Sequence, residues 1–313
     1  MLELLVLAGF FFSTLLVTHA VVQYHQAKGF TGIDVNKPRK PKIPEGTGIA
    51  LIPSALAGAL LLAAWNPSER IAILSWGALV SAFTLIGYWD DTSKKKLGWI
   101  PRTLPVMAVS IAFAWMHAPS MEWVLPLALF VAGIPALTNT FEGLNGWATG
   151  STAVIALFSV YVLWNTPYYF LSLITLAIIA GFAVLNQFPA RMFPGDAGTL
   201  GMGSALAGMI ALTQEHGLYV LFTLFYLPHL ADVLGFKFLS NAKDMSQKKF
   251  APYSVLKDGR IAVPEYADGR IRYDFAKAIL RMLGPLHERH VVWIIWGVVV
   301  LNGLFWLAVT GRF

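Results

Sequence analysis

The strongest constraint on this chain is a run of about twenty apolar residues that recurs from its first residues to its last. A run of that length crosses the hydrocarbon of a bilayer as one helix. Inside lipid every backbone N–H and C=O must find a partner, which leaves helices or a closed barrel. These runs are continuous rather than alternating, so the barrel is excluded. Measured this way, the chain is predicted to carry ten spanning helices, at about 3–24, 48–65, 70–89, 101–118, 122–141, 148–165, 168–186, 199–213, 217–239 and 290–310. Charged residues make up 13% of the chain and hydrophobic ones 57%, against roughly 25% charged in a soluble domain. The expected fold class is an all-α polytopic membrane protein, one transmembrane domain over residues 1–313. The first run, LELLVLAGFFFSTLLVTHAVV, has no basic flank before it and reads as a retained helix. The chain has no cysteine, which excludes disulfides, thiolate metal sites and cysteine nucleophiles.

Ten helices put both termini on one side and the odd-numbered loops on the other. Of the 23 lysines and arginines, 21 fall on the odd-loop side, leaving only Arg70 and Arg312 opposite. Basic residues stay cytoplasmic, so the odd loops are expected in the cytosol. The ninth loop, 240–289, is the one long polar segment, and it is expected to form a small mixed α/β cytosolic insertion before the last helix. It holds two Asp-Gly pairs, Asp258-Gly259 and Asp268-Gly269, beside short β-prone runs, a hairpin signal. A helix is predicted from Asp274, with Phe275, Ile279, Leu280 and Leu283 on one face.

The acids Asp90, Asp91, Glu142, Asp196 and Asp232 fall on this same side. A charge at helix-centre depth costs about 2.5–3.5 kcal/mol on insertion scales. Acids gathered at one face, among glycines and asparagines, suggest a cation or substrate site there. Each segment also has a plainer reading. Asp90-Asp91 followed by Lys94–Lys96 also reads as a solvated turn. In FPGDAGT (193–199), small residues open a helix to which a phosphate can come close, and Asp196 either holds a metal against it or caps that helix. In NTFEGLNG (139–146), Asn139 and Glu142 share a face, Asn139 offers a hard neutral oxygen, and the glycines let a flat ring approach. Asn145 can read a pyrimidine-like edge with its donor and acceptor. A glycine-rich connection is the alternative. His19, His25, His117 and His216 show no partner pattern and are expected at the interface, with His229 facing a bundle interior.

In order and spacing, KPRKPKIPEGTG (37–48), GYWDDTSKK (87–95), NTFEGLNGWATG (139–150), NQFPARMFPGDAGTLGMG (186–203) and LGPLHER (283–289) resemble the polyprenyl-phosphate N-acetylhexosamine-1-phosphate transferases, over nearly the whole chain. Asn145 and the last segment look like the eukaryotic and archaeal dolichyl-phosphate N-acetylglucosamine-phosphotransferase branch. The resemblance implies a ten-helix fold, an active site on the cytosolic face, and transfer of N-acetylhexosamine-1-phosphate from a UDP-sugar to a polyprenyl or dolichyl phosphate with release of UMP. It implies Mg²⁺, with Mn²⁺ as a substitute, on Asn139 and Asp196. It implies a uracil pocket of Gly143, Asn145 and Phe193. Asp90 and Asp91 match the acidic pair near the lipid phosphate, and Glu45 the glutamate of the first loop. No nucleic acid is implied, a homodimer is compatible, and the short chain favours an archaeal plasma membrane over endoplasmic reticulum.

Three departures stand out. The family's phosphate-binding lysine has Arg102 as its counterpart by position, with Lys94–Lys96 as competitors. Where relatives carry a histidine- and arginine-containing motif in the ninth loop, this chain reads SQKKFAP (246–252), offering Lys248 and Lys249. Glu142 replaces a small residue or aspartate and is a candidate extra acid near the metal. The rival readings are a membrane transporter or a non-enzymatic nucleotide-sugar binder with a cytosolic vestibule. Transporters place ions near mid-membrane, often in repeated halves, and no such repeat occurs here.

Overall fold

A computed structural model describes residues 1–93, 99–237, 252–264 and 273–312. Its long helices follow the apolar runs: α1 (Leu2–Lys28), α2 (Leu51–Trp65), α3 (Arg70–Thr92), α4 (Trp99–His117), α5 (Val124–Thr140), α6 (Trp147–Val162), α7 (Tyr169–Ala183), α8 (Gly195–Ala211), α9 (His216–Phe225), then the short α10 (Leu227–Leu230) leading into a π-helical stretch, Ala231–Lys237. α11 (Phe275–Leu283) and α12 (Glu288–Val309) follow. α1 stops where Gly29 takes a left-handed conformation and returns its amide to the last turn.

Helices thus occupy all ten stretches, but the number that qualify as spans is smaller. Among the described residues six helices are long and apolar enough to cross a membrane. A seventh is reached if α9 and the segment Leu227–Phe236, bent by 54° against it, form one span. α6 is apolar but has only 16 residues, and α8 has 17. Large apolar side chains such as Leu4, Phe12, Leu16, Trp115 and Leu301 lie exposed on the outer helices, as a lipid-facing surface requires.

α8 is the hub. Every residue from Asp196 to Ala211 is buried, and it packs against α3, α5, α6 and α7. Its sequence, GDAGTLGMGSALAGMIA, is mostly small residues, which lets neighbouring backbones come close where lipid gives no hydrophobic drive. At Gly87 of α3 the approach is extreme, since a Cβ there would sit 2.4 Å from the Asp196 carbonyl. α3 is further tied to α8 by Trp76, whose Nε1 donates to Ala205 O at 2.8 Å. α8 also begins four residues before its expected start at 199, for a reason found in α3 and described below.

Two small sheets lie outside the helices. β1 (Thr31–Ile33) and β2 (Lys42–Pro44) form an antiparallel hairpin in the first loop, with Gly32 opposite Ile43. β3 (Ser254–Val255), β4 (Arg260–Ala262) and β5 (Leu286–His287) form a three-stranded antiparallel sheet. Asp258-Gly259 makes the β3–β4 turn, with Gly259 at φ 81° and Leu256 N donating to Arg260 O at 2.8 Å. Asp268-Gly269 lies outside the described residues. Asp274 caps α11 by accepting from Lys277 N at 2.8 Å. Ile279 and Leu280 are buried, but Leu283 is exposed rather than on the packed face. The helix ends there at Gly284, so its last turn projects past the surface it packs on.

Candidate active site

The end of α3 divides its two carboxylates between two tasks. Adjacent helical residues point about 100° apart. Asp91 turns to the start of α8 and accepts from Asp196 N at 2.9 Å and Ala197 N at 3.0 Å. The first amides of a helix have no partner within it, so Asp91 caps α8 from another element. Gly195, in the left-handed conformation (φ 65°), leaves room, because a Cβ there would lie 2.3 Å from Asp91 Oδ2. With this work done by Asp91, Asp196 is not the cap. It stands in the first turn with its carboxylate turned elsewhere.

That carboxylate faces Arg102 from the first turn of α4. Arg102 Nη1 lies 2.8 Å from Asp196 Oδ2 and 3.5 Å from Asp90 Oδ2. The Asn139 side chain, at the end of α5, and the Asp90 carboxyl both lie close enough to interact with Asp196. One guanidinium therefore bridges two buried acids, with a neutral amide beside them. Four helices meet there, and each contributes one polar group.

Next to this cluster opens a cleft of about 290 Å³ lined by Glu45, Glu142, Gly143, Asn145, Phe193 and Gly195, among others. Its wall is a splice between the first loop and the segment before α8. Phe193 N donates to Pro44 O at 2.7 Å, Thr47 N to Phe193 O at 3.3 Å, and Gly48 N to Pro194 O at 3.1 Å. Glu45 is anchored through its main chain, where His25 Nδ1 meets the Glu45 carbonyl at 2.8 Å. A carbonyl only accepts, so that nitrogen carries the proton. A second cleft, about 360 Å³, lies on the other side of Asn145 between Phe188, Arg289, Trp293 and Trp296.

The sequence-derived residues that the structure describes thus converge, with one exception. Asp90, Arg102, Asn139 and Asp196 form one cluster, while Glu45, Glu142, Gly143, Asn145 and Phe193 line the adjoining cleft. Asp91 serves the architecture of that cluster instead of facing into it. Lys248 and Lys249, like Lys94–Lys96, lie outside the described residues. His229 is buried, as expected of a bundle interior, while three other histidines have partners within the protein. His25 is buried under the first loop, and His117 is buried with Ser75 Oγ 2.7 Å away. His216 stacks on Trp123 at 3.7 Å.

The roles of three further residues at the site were not anticipated. Asn145 is fixed by Glu288 Oε1, which accepts from its backbone N at 2.7 Å, and by Asp34 Oδ2, which accepts from its Nδ2 at 2.8 Å. Lys37 joins both acids, 3.0 Å from Asp34 Oδ2 and in direct contact with Glu288. Asp34 and Glu288 are buried. Their pairing joins positions over 250 residues apart, and no local pattern signals it. Asp34 stands just before KPRKPKIPEGTG, of which Lys37 is the first residue, and Glu288 lies inside LGPLHER.

Residues 73–214 match glycosyl transferase family 4. That stretch runs from α3 to just past α8, somewhat under half of the chain, and carries Asp90, Arg102, Asn139, Asn145 and Asp196. A Sulfolobus acidocaldarius protein is 28% identical over 93% of this chain and 91% of its own length, and is provisionally named a UDP-N-acetylglucosamine–dolichyl-phosphate N-acetylglucosaminephosphotransferase. A provisionally named glycosyltransferase of Methanocaldococcus jannaschii is 28% identical over 87% of this chain and 85% of its own. A phospho-N-acetylmuramoyl-pentapeptide-transferase of a Synechococcus strain is 31% identical over 56% of this chain and 58% of its own.

Proposed function

We propose that this protein transfers N-acetylhexosamine-1-phosphate, with N-acetylglucosamine the favoured sugar, from a UDP-sugar to a polyprenyl or dolichyl phosphate. The reading includes ten membrane crossings, with α6 and α8 as short spans sheltered by their neighbours, and a site on the cytosolic face of an archaeal plasma membrane. The observation that carries it is the junction of two environments. The Asp90–Arg102–Asp196–Asn139 cluster stands at the start of a buried helix, and a cleft with glycine, amide and aromatic walls opens beside it.

The donor set suits Mg²⁺. Among the described residues no group of three or more His, Asp or Glu side chains is set to hold a metal. Mg²⁺ commonly takes only one or two protein carboxylates, with substrate phosphates and waters completing its shell. Asp196 offers a hard carboxylate oxygen, and Asn139, beside it, can turn its amide oxygen to the same ion, so these are the residues that would hold it. When bound, the ion offsets charge on the donor pyrophosphate.

The rest follows from this chain's own groups. An oxygen of the lipid phosphate attacks the phosphorus that bears the sugar. The bond from that phosphorus to the bridging oxygen breaks, and the oxygen departs with UMP. Phosphoryl transfer needs positioning and charge neutralisation more than covalent help. Arg102, shared between Asp90 and Asp196, is the cation placed to meet an incoming phosphate. Asp91 keeps the start of α8 in place, and with it Asp196. The uracil ring lies against Gly143 and Phe193, within reach of Asn145. The phosphate's second pKa is near neutral, so its attacking oxygen does not require a dedicated base.

Purified protein given UDP-N-acetylglucosamine, polyprenyl phosphate and Mg²⁺ should release UMP. Asn139→Ala should abolish release while the protein still folds. Absence of UMP across a panel of UDP-sugars sinks the reading.

A further inference from the structure

Asn145 is an amide whose two ends carry opposite hydrogen-bonding character, so what it recognises depends on which way it is turned. Its Nδ2 donates to Asp34 Oδ2 at 2.8 Å. Asp34 is itself salt-bridged to Lys37 at 3.0 Å and accepts from Asn36 N at 3.3 Å. A carboxylate in that setting only accepts. Reversing the amide would set the Asn145 carbonyl oxygen against a buried carboxylate oxygen, two acceptors with no proton between them. The backbone is held as well, since Glu288 Oε1 accepts from Asn145 N at 2.7 Å, and Lys37 ties Glu288 to Asp34. No hydrogen bond among the described residues engages Asn145 Oδ1, and Asn145 lines the 290 Å³ cleft. With Nδ2 held on Asp34, Oδ1 is the acceptor that this amide can offer a ligand in the cleft.

We infer that Asp34, braced by Lys37 and Glu288, is a positioning residue that sets the uridine-over-cytidine choice by locking Asn145 with its carbonyl oxygen toward the nucleobase. The inference rests on the proposed uracil pocket and deepens it. Uracil carries a proton on N3, which an acceptor at this position can receive. Cytosine carries a lone pair on N3, which the same acceptor repels. A buried polar group left without its partner is what makes such discrimination steep. Asp34 touches no substrate and acts only through the orientation of Asn145.

The test compares kcat/KM for a UDP-sugar and the matching CDP-sugar, with thermal stabilisation of the detergent-purified protein by UMP and CMP as a second readout. Wild type should favour uridine in both. Asp34→Asn can donate as well as accept, so Asn145 is released to turn either way. The uridine preference should fall by about tenfold or more, mainly through uridine kcat/KM. The double variant Asp34→Asn/Asn145→Asp restores a donor opposite a fixed acceptor and should recover the preference. It also decides the matter if the single variant does not fold. The inference is overturned if Asp34→Asn keeps the wild-type ratio, if the double variant fails to recover it, or if wild type turns over both donors equally. Failure of the underlying reading looks different, because wild type would then neither consume a UDP-sugar nor be stabilised by UMP.

Discussion

At the scale of single residues, the site turns on how two neighbouring aspartates are used. The string GYWDDTSKK shows two carboxylates and cannot show that they diverge, because the groups that separate them, Arg102 and the amides of Asp196 and Ala197, come from other helices. The two roles give different expected phenotypes. Asp91→Ala removes both bonds to the start of α8 and should destabilise the fold by about 1–3 kcal/mol, lowering turnover as Asp196 loses its place; a thermal melt alongside an activity assay checks both. Arg102→Ala should lower turnover about a hundredfold or more, as loss of a preorganised charge does elsewhere. Arg102→Lys should restore only part of it, because an ammonium lacks the further guanidinium donors that can meet a phosphate while one nitrogen stays on the two carboxylates. Equal activity in wild type and Arg102→Ala would remove Arg102 from the site. Asn139, Asn145 and Asp196 were legible because short polar strings in an apolar chain are costly and therefore conspicuous. Asp34, Lys37 and Glu288 were not, since their meaning lies only in their meeting.

Among the elements, the long apolar helices were readable from hydropathy, while those nearest the site were the hardest to delimit. α8 is short, glycine-rich and wholly enclosed, so neither its length nor any amphipathic pattern marks its start. Its cap is supplied by a side chain 105 residues away. The β1–β2 hairpin was missed because its strands are three residues each, and its register depends on packing against the segment before α8. By contrast, Asp258-Gly259 announced the β3–β4 turn, because the left-handed residue that turn needs is named in the dipeptide itself. The brace between the first loop and α12 is open to a direct test. Lys37→Met leaves two buried carboxylates facing each other without their cation and is expected to cost about 3–5 kcal/mol. A melting temperature unchanged from wild type would show that the brace carries no such strain.

Over the whole molecule, functional side chains from the first loop, α3, α4, α5, the α5–α6 connection, the segment before α8 and α12 gather at one end of the bundle. The basic-residue asymmetry in the sequence points to that same end as the cytosolic face. The lack of native cysteine makes the topology testable with single introduced thiols. In membranes oriented outside-out, Lys40→Cys, exposed in the first loop, should resist an impermeant thiol reagent until the vesicles are opened. Ser68→Cys, exposed between α2 and α3, should react at once; the opposite pattern would invert the proposed orientation.

The central claim is that Asp196 and its neighbours serve the transfer of a sugar phosphate to a lipid. Mass analysis of the lipid fraction tests it most directly, after purified protein has been incubated with UDP-N-acetylglucosamine, dolichyl phosphate and Mg²⁺. A lipid heavier by one N-acetylglucosamine phosphate, formed by wild type and absent with Asp196→Asn, is the expected result. No such lipid from wild type, or an undiminished amount from a folded Asp196→Asn, would contradict it.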